Sequence, residues 1–276
     1  SVSDEYVKQA VANYRAMQEP LGENNALLNW CISMEIQGYY NRALEGYQTV
    51  AYNMERLGNK QTQAISVMYM GNVYLKCACY AEAAHFFEKT QEIATQILDQ
   101  ELHMNMWEYN SLLSYRLKDF DNALLCIDKS LQISENIKRE QYRTRLLLIK
   151  ADILFNTNKI EAAKQLFLVV ANVKKIGKHL NSVLNAKAKL GYIATLDNDL
   201  DTATRWTSSL LPIVLNKTDV IPDLDFEVYY LLYLSLQKIN LIDEANEVIT
   251  NAKNLLQQQA VKMKNEKMRS SFLYNV

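Results

Sequence analysis

The sequence predicts an all-α solenoid, a stack of about six antiparallel helix pairs closed by a capping helix at each end. Three observations predict it. Ala43, Ala83, Ala123, Ala163 and Ala203 recur every 40 residues, and Ala245 follows after 42. Each has a bulky residue three positions before it (Tyr40, Tyr80, Phe120, Ile160, Leu200, Ile242), and Tyr47, Phe87, Ile127, Phe167, Thr207 and Ile249 stand four positions after it. A fixed period of this length means copies of one supersecondary unit, none of which can bury its apolar face alone. A methyl at a fixed register lets two helices cross closely where a larger side chain would hold them apart. Composition agrees: among 276 residues there are 7 Gly and only 3 Pro, and 49% are hydrophobic, as a mostly helical chain requires.

Taken in order, residues 3–18 place Tyr6, Ala10, Tyr14 and Met17 on one helical face. This reads as an N-terminal cap within residues 1–22, ended by Pro20-Leu21-Gly22. Repeat 1 follows, with Trp30-Cys31 on its first helix and Tyr40, Ala43 and Tyr47 on its second. Repeat 2 is the clearest. Gln63 to Lys76 carries Ala64, Val67, Met70, Gly71 and Tyr74 at helical spacing, and after Cys77-Ala78-Cys79 a second helix over Tyr80 to Leu98 carries Ala83, Ala84, Phe87, Thr90, Ile93, Ala94 and Ile97. Repeat 3 has Trp107, repeat 4 keeps Leu147, Leu154, Ile160 and Phe167, and repeat 5 has Leu190-Gly191. Gly58 and Gly177 read as left-handed helix ends. Pro212, Asn216, Asp219 and Pro222 predict the longest irregular connector, between repeats 5 and 6. Repeat 6 keeps Tyr229, Ile242 and Ile249, and its second helix runs on through Gln257 to Lys264. Residues 261–276 then add a C-terminal capping helix whose Met268, Phe272 and Leu273 cover the last exposed core surface.

Val67, Met70-Gly71, Tyr74, Tyr80, Ala83, Phe87 and Thr90 of repeat 2 resemble the tetratricopeptide repeat (TPR), whose array is a right-handed superhelix. The resemblance spans residues 23–260. At 40 residues the repeats exceed the usual TPR length. Such long repeats are similar to those of bacterial peptide-receptor regulators of the Rap and PlcR type, MalT-type activators and Pins-type adaptors. The tail from Glu266 to Val276 is similar to segments that close the TPR regions of large bacterial signalling proteins carrying a kinase or cyclase and an ATPase module. The start at Ser1-Val2-Ser3-Asp4, without methionine, reads as a piece of such a larger protein.

Chemistry is nearly absent. His85, His103 and His179 sit in different repeats with no Cys, Asp or Glu at ligand spacing, so no metal is expected. Cys31, Cys77, Cys79 and Cys126 read as reduced packing thiols of a cytoplasmic protein. Asp197-Asn198-Asp199-Leu200-Asp201 lacks the glycine and distal glutamate of a calcium loop and suits a helix start. No phosphate-binding glycine loop or nucleophile elbow occurs, and no apolar run reaches the length of a bilayer span. No cofactor, no enzyme activity and no membrane partner are therefore expected. Charge balances, 30 basic against 31 acidic residues, which argues against bulk attraction to nucleic acid. Locally, Lys164, Lys174, Lys175, Lys178, Lys187 and Lys189 with His179 predict a basic strip for an acidic partner protein or an intramolecular domain.

The TPR resemblance implies that the first helix of each pair lines a concave groove for a protein or peptide. Its ligand-contacting positions fall on Asn72 and Lys76 in repeat 2, Tyr115 and Arg116 in repeat 3, and Arg145, Asp152 and Phe155 in repeat 4. In repeats 5 and 6 they fall on Asn185, Tyr192 and Tyr230. Other positions of the same set include Glu35, Asn156 and Glu227. Asparagines suit the backbone of an extended peptide, the aromatic residues offer contact area at small entropic cost, and Arg116 and Arg145 suit a carboxylate. A lysine–asparagine clamp for a peptide carboxylate is not expected, because Met68 and Tyr109 replace two of its members. The reading is a non-catalytic protein- or peptide-binding module, the regulatory part of a larger bacterial signalling or transcription protein. The alternative is a peptide-pheromone sensor whose ligand switches an attached DNA-binding or effector domain. Oligomeric state is not indicated by the sequence.

Overall fold

The computed structural model describes residues 2–95, 97–138, 140–174, 179–216 and 224–275. Gly177, Asp219 and Pro222 lie outside them. The described residues form helices and turns only. After α1 (Val2–Ala16) the first helices of the six pairs are α2 (Pro20–Ile36), α4 (Lys60–Lys76), α6 (Gln100–Arg116), α8 (Glu140–Asn156), α10 (Leu180–Leu196) and α12 (Phe226–Lys238). Their partners are α3 (Tyr40–Arg56), α5 (Tyr80–Ala94), α7 (Phe120–Asn136), α9 (Ile160–Ala171), α11 (Leu200–Val214) and α13 (Ile242–Val261), and α14 (Glu266–Asn275) closes the chain. The alanine ladder is buried throughout: all six alanines are 0% exposed.

The turn inside each pair repeats with the same period. Gly38, Ala78, Lys118, Asn158, Asn198 and Asn240 all have positive φ, from 53–77° in the chain's set of such residues. Past each of them, the amide of Tyr39, Cys79, Asp119, Lys159, Asp199 or Leu241 donates to a carbonyl five residues back at 2.8–2.9 Å. This is the Schellman closure of a helix C-terminus. Only Gly38 is a glycine. The left-handed conformation costs roughly 1–2 kcal/mol at residues with a Cβ, least at asparagine, and the tertiary fit of the pair offsets it. Asp119 and Asp199 then cap the next helix, accepting from the amides of Asn122 and Thr202.

Three boundaries differ from expectation. Pro20 opens α2 instead of separating it from α1, since a missing N–H costs nothing in a first turn. The second helix of repeat 2 stops at Ala94, short of Leu98, which is fully exposed. Pro212 lies inside α11, not in a connector; the carbonyl it leaves unpaired belongs to Ser208, an exposed residue, where water can serve.

The chain divides into two compact units, Ser1–Leu113 with Gln259–Val276, and Ser114–Gln258. In the first, Met68, Ala83, Phe87, Leu102 and Tyr109 form a core across α4, α5 and α6. Gly71 lets the Phe87 ring lie against α4: a Cβ there would stand 2.5 Å from it. Met268 and Phe272 of α14 are buried, as expected. Phe272 meets Tyr40 edge-on at 6.3 Å, the Lys264 amide donates to Asn41 Oδ1 at 2.9 Å, and Lys267 pairs with Glu82. Lys262 Nζ donates to the Gln37 carbonyl at 2.8 Å and lies 4.7 Å from the Tyr39 ring centre. The surface that receives the tail belongs to repeats 1 and 2, where the Tyr40 ring, Asn41 and the Gln37 carbonyl match what the tail offers. In the second unit, one core joins α8, α9 and α10 around Ala151, Ala163 and Phe167, and another joins α10 to α13 around Val228, Leu232 and Ala245.

Candidate functional site

Two polar clusters lie on the first helices, one in each unit. In the first unit Glu35 is buried, 4% exposed. It accepts from Tyr47 Oη at 2.8 Å and Asn72 Nδ2 at 2.6 Å, and Lys76 Nζ stands 3.1 Å away. Burial foremost, and then this carboxylate, push the Tyr47 hydroxyl far above the ordinary tyrosine value, so it stays a donor. One carboxylate thus holds three donors. The structure brings Asn72 and Lys76 together, and both serve Glu35.

The second cluster, on α6, α8, α10 and α12, is built differently. Lys189 is fully buried, 0% exposed, which corrects the basic strip: this lysine is core. Lys164, another member, pairs with Asp197 at 3.4 Å, while Lys175 and Lys178 lie outside the described residues. Lys189 Nζ donates to Glu227 Oε1 at 2.5 Å and approaches Asp152 Oδ1 at 3.3 Å. It also lies 5.5 Å from the Phe155 ring centre. Burial alone would pull its ammonium down, but Asp152 and Glu227 hold it above the usual lysine value. Burial raises Asp152 to about 6 in spite of Lys189, with Glu227 adding to the rise. Two carboxylates sharing one cation leave a negative surplus, and Asp152 carries the cost.

The walls are aromatic. Tyr192 meets Phe155 edge-on at 6.4 Å, and the Tyr115 hydroxyl accepts from Asn156 Nδ2 at 2.8 Å. Arg116 stands 3.9 Å from Asp225, which caps α12 through the Glu227 amide. Asn185 lies one turn before Lys189 on α10 and is 6% exposed. Its Oδ1, like Asp152 Oδ1, has no hydrogen bond among the described residues. Of the expected positions, Tyr115, Arg116, Asp152, Phe155, Asn185 and Tyr192 therefore belong to this cluster. Arg145 is exposed, over the Tyr142 ring at 5.8 Å, and Tyr230, 52% exposed, stacks on Tyr233. The residue the sequence reading misplaced is Lys189. A signal existed: its bonded partner Glu227 lies 38 residues away, and Asn72 lies 37 from Glu35, so partners on neighbouring first helices fall just short of one period.

The cysteines offer no chemistry beside it. Cys31, Cys77, Cys79 and Cys126 are free and buried, and burial pushes the Cys31 thiol to about 12 and Cys77 higher still. Such thiols are protonated and inert. Among the described residues no helix is long and apolar enough to cross a membrane.

Helix pairs of nearly constant period, each with a buried alanine at a fixed register, define a TPR-type helical repeat. No protein-family model matches the chain, and no curated protein matches its sequence. Solved structures do. BtubC (BKLC) from P. vanneervenii superposes with a TM-score of 0.56 at 15% identity, covering 84% of this chain and 94% of that one. A Rap protein complexed with Competence and Sporulation Factor gives 0.65 at 13% identity, over 92% and 73%. Yeast Tom70 gives only 0.41 at 16% identity, over 86% and 59%. At such identities the likeness is one of fold, and the fold is the TPR-type repeat.

Proposed function

We propose that this chain is a non-catalytic binding module that holds an extended peptide or protein segment along α8, α10 and α12. It serves as the regulatory or interaction part of a larger bacterial signalling or transcription-regulating protein. The observation that carries the reading is Lys189, fully buried between two carboxylates and walled by Phe155. A buried ion cluster is a poor way to stabilise a helix stack, since apolar residues of like volume do as well or better. Charge kept at such cost, beside aromatic walls and an asparagine oxygen with no donor among the described residues, fits a surface built for a ligand. Asn185 suits the peptide backbone and Tyr192 the side chains.

A second reading, a peptide sensor that switches an attached domain, is favoured by the Rap likeness, because that protein was solved with Competence and Sporulation Factor bound. Both readings share one test. A fluorescent, sequence-degenerate heptapeptide pool is titrated into the full chain, and amide hydrogen exchange is followed with and without it. Binding should protect α8, α10 and α12, and Tyr192→Ala should weaken it roughly ten-fold, the scale of one lost aromatic anchor. Protection confined to other helices, or unchanged affinity in the variant, would sink the assignment.

A further inference from the structure

The chemistry of the missing ligand group follows from what this site lacks, taking the peptide groove as given. Glu35 shows a completed carboxylate in the same fold, with Tyr47, Asn72 and Lys76 as its donors. Around Lys189 the balance is reversed: Asp152 and Glu227 share a single ammonium. The two buried side-chain atoms without a hydrogen bond among the described residues, Asp152 Oδ1 and Asn185 Oδ1, are both acceptors. The deficit is therefore of donors and of positive charge. Arg116 does not fill it, because it faces Asp225 at 3.9 Å. Glu227 and Asp152 keep 35% and 16% of their side chains exposed, whereas Lys189 keeps none. Glu227 is reachable from outside, Asp152 Oδ1 and Asn185 Oδ1 are buried beside it, and the lysine fixes both carboxylates from within. A carboxylate or carbonyl arriving here would deepen the surplus, and an apolar group would bring neither a donor nor a positive charge.

We propose that the recognised segment carries a basic side chain, arginine or lysine, whose cationic head sits against Asp152 and Glu227 beside the aromatic rings of Phe155 and Tyr192. The raised proton affinity of Asp152 agrees with a carboxylate awaiting a cation. Aromatic faces add attraction for a guanidinium or ammonium, and charge-assisted hydrogen bonds supply the discrimination.

The test uses the full chain and C-terminally labelled, N-acetylated heptapeptide pools, degenerate except for a central arginine, lysine or citrulline. Citrulline keeps the shape of arginine without its charge. The arginine and lysine pools should bind roughly ten- to a hundred-fold more tightly than the citrulline pool, the range of a charge-assisted hydrogen bond. Glu227→Gln and Asp152→Asn should each reduce that preference to about three-fold or less while leaving citrulline binding in place. Helical circular dichroism of each variant confirms the fold. Equal binding of all pools, or a preference that survives both substitutions, overturns the cation site and leaves the groove standing. A citrulline pool with a free amino terminus that matches the arginine pool overturns it in favour of a chain terminus. Binding of none of the pools overturns the groove reading itself.

Discussion

Replacing Asp152 by asparagine should make the protein more stable at neutral pH, although it removes one partner of a buried ion pair. Folding raises the carboxyl from its ordinary 3.8 to about 6. The folded state therefore holds this proton more tightly than the unfolded chain does. Its favourable contribution is whole below about pH 4 and is lost as pH rises through about 6, where ionisation has to be endured in the folded state. That rise in proton affinity corresponds to about 3 kcal/mol, and about 2 kcal/mol is the better expectation because the side chain keeps 16% exposure. Asparagine mimics the protonated form and escapes the penalty. Lys189 keeps its bond to Glu227, so no cation is stranded. Urea unfolding of both proteins, followed by circular dichroism at about pH 7.5, 5.5 and 4, should show a gain of about 2 kcal/mol that shrinks and vanishes on acidification. The groups facing Asp152 that could distort the profile are Lys189, Glu227, Asp225 and Tyr115. A loss of stability at neutral pH, or a gain that ignores pH, would show that attraction to Lys189 outweighs burial and would refute the reasoning.

Two further predictions concern the scaffold. Gly71→Ala should destabilise by about 1–3 kcal/mol in urea unfolding, although alanine in an exposed helix would gain about 1 kcal/mol. The new methyl would meet the Phe87 ring at 2.5 Å, and that ring is pinned on its far side by Tyr109 at a centroid distance of 5.7 Å. Stabilisation would show that the ring yields. Phe272→Ala should cost about 3–5 kcal/mol of the docking of α14 and speed amide exchange in that helix and around Tyr40. Exchange in α14 that stays as slow as in the unsubstituted protein would show that the polar contacts of Lys262 and Lys264 hold it alone.

The repeat was legible because it is a local property written many times. Ala83 needs a methyl wherever α4 and α5 cross, and the same need returns at Ala123 and Ala163, so spacing alone exposes it. The turns were partly legible. Gly58 announced its positive φ, whereas Ala78 and Lys118 adopt the same conformation under the compulsion of the helix pair, which no propensity reveals. For the candidate site the sequence pointed to α8 and α10 and to Asp152, Phe155, Asn185 and Tyr192 on them, which the structure brings together. It could not tell that Asn72 and Lys76 are held by Glu35 while Asn185 Oδ1 has no donor among the described residues.

What the sequence determined by itself is therefore the helical pair, its period and the buried seam, all set by side-chain size at fixed spacing along one chain. Only the tertiary structure decided which charges meet. Whether Lys189 is a solvated cation or the centre of a buried cluster depends on how far one first helix is displaced against the next, and that displacement is settled by the packing of whole layers such as Ala163, Phe167 and Leu190. The destination of α14 has the same origin. Its apolar face requires burial, but only the stacked helices show that Tyr40, Asn41 and the Gln37 carbonyl form the surface that accepts it.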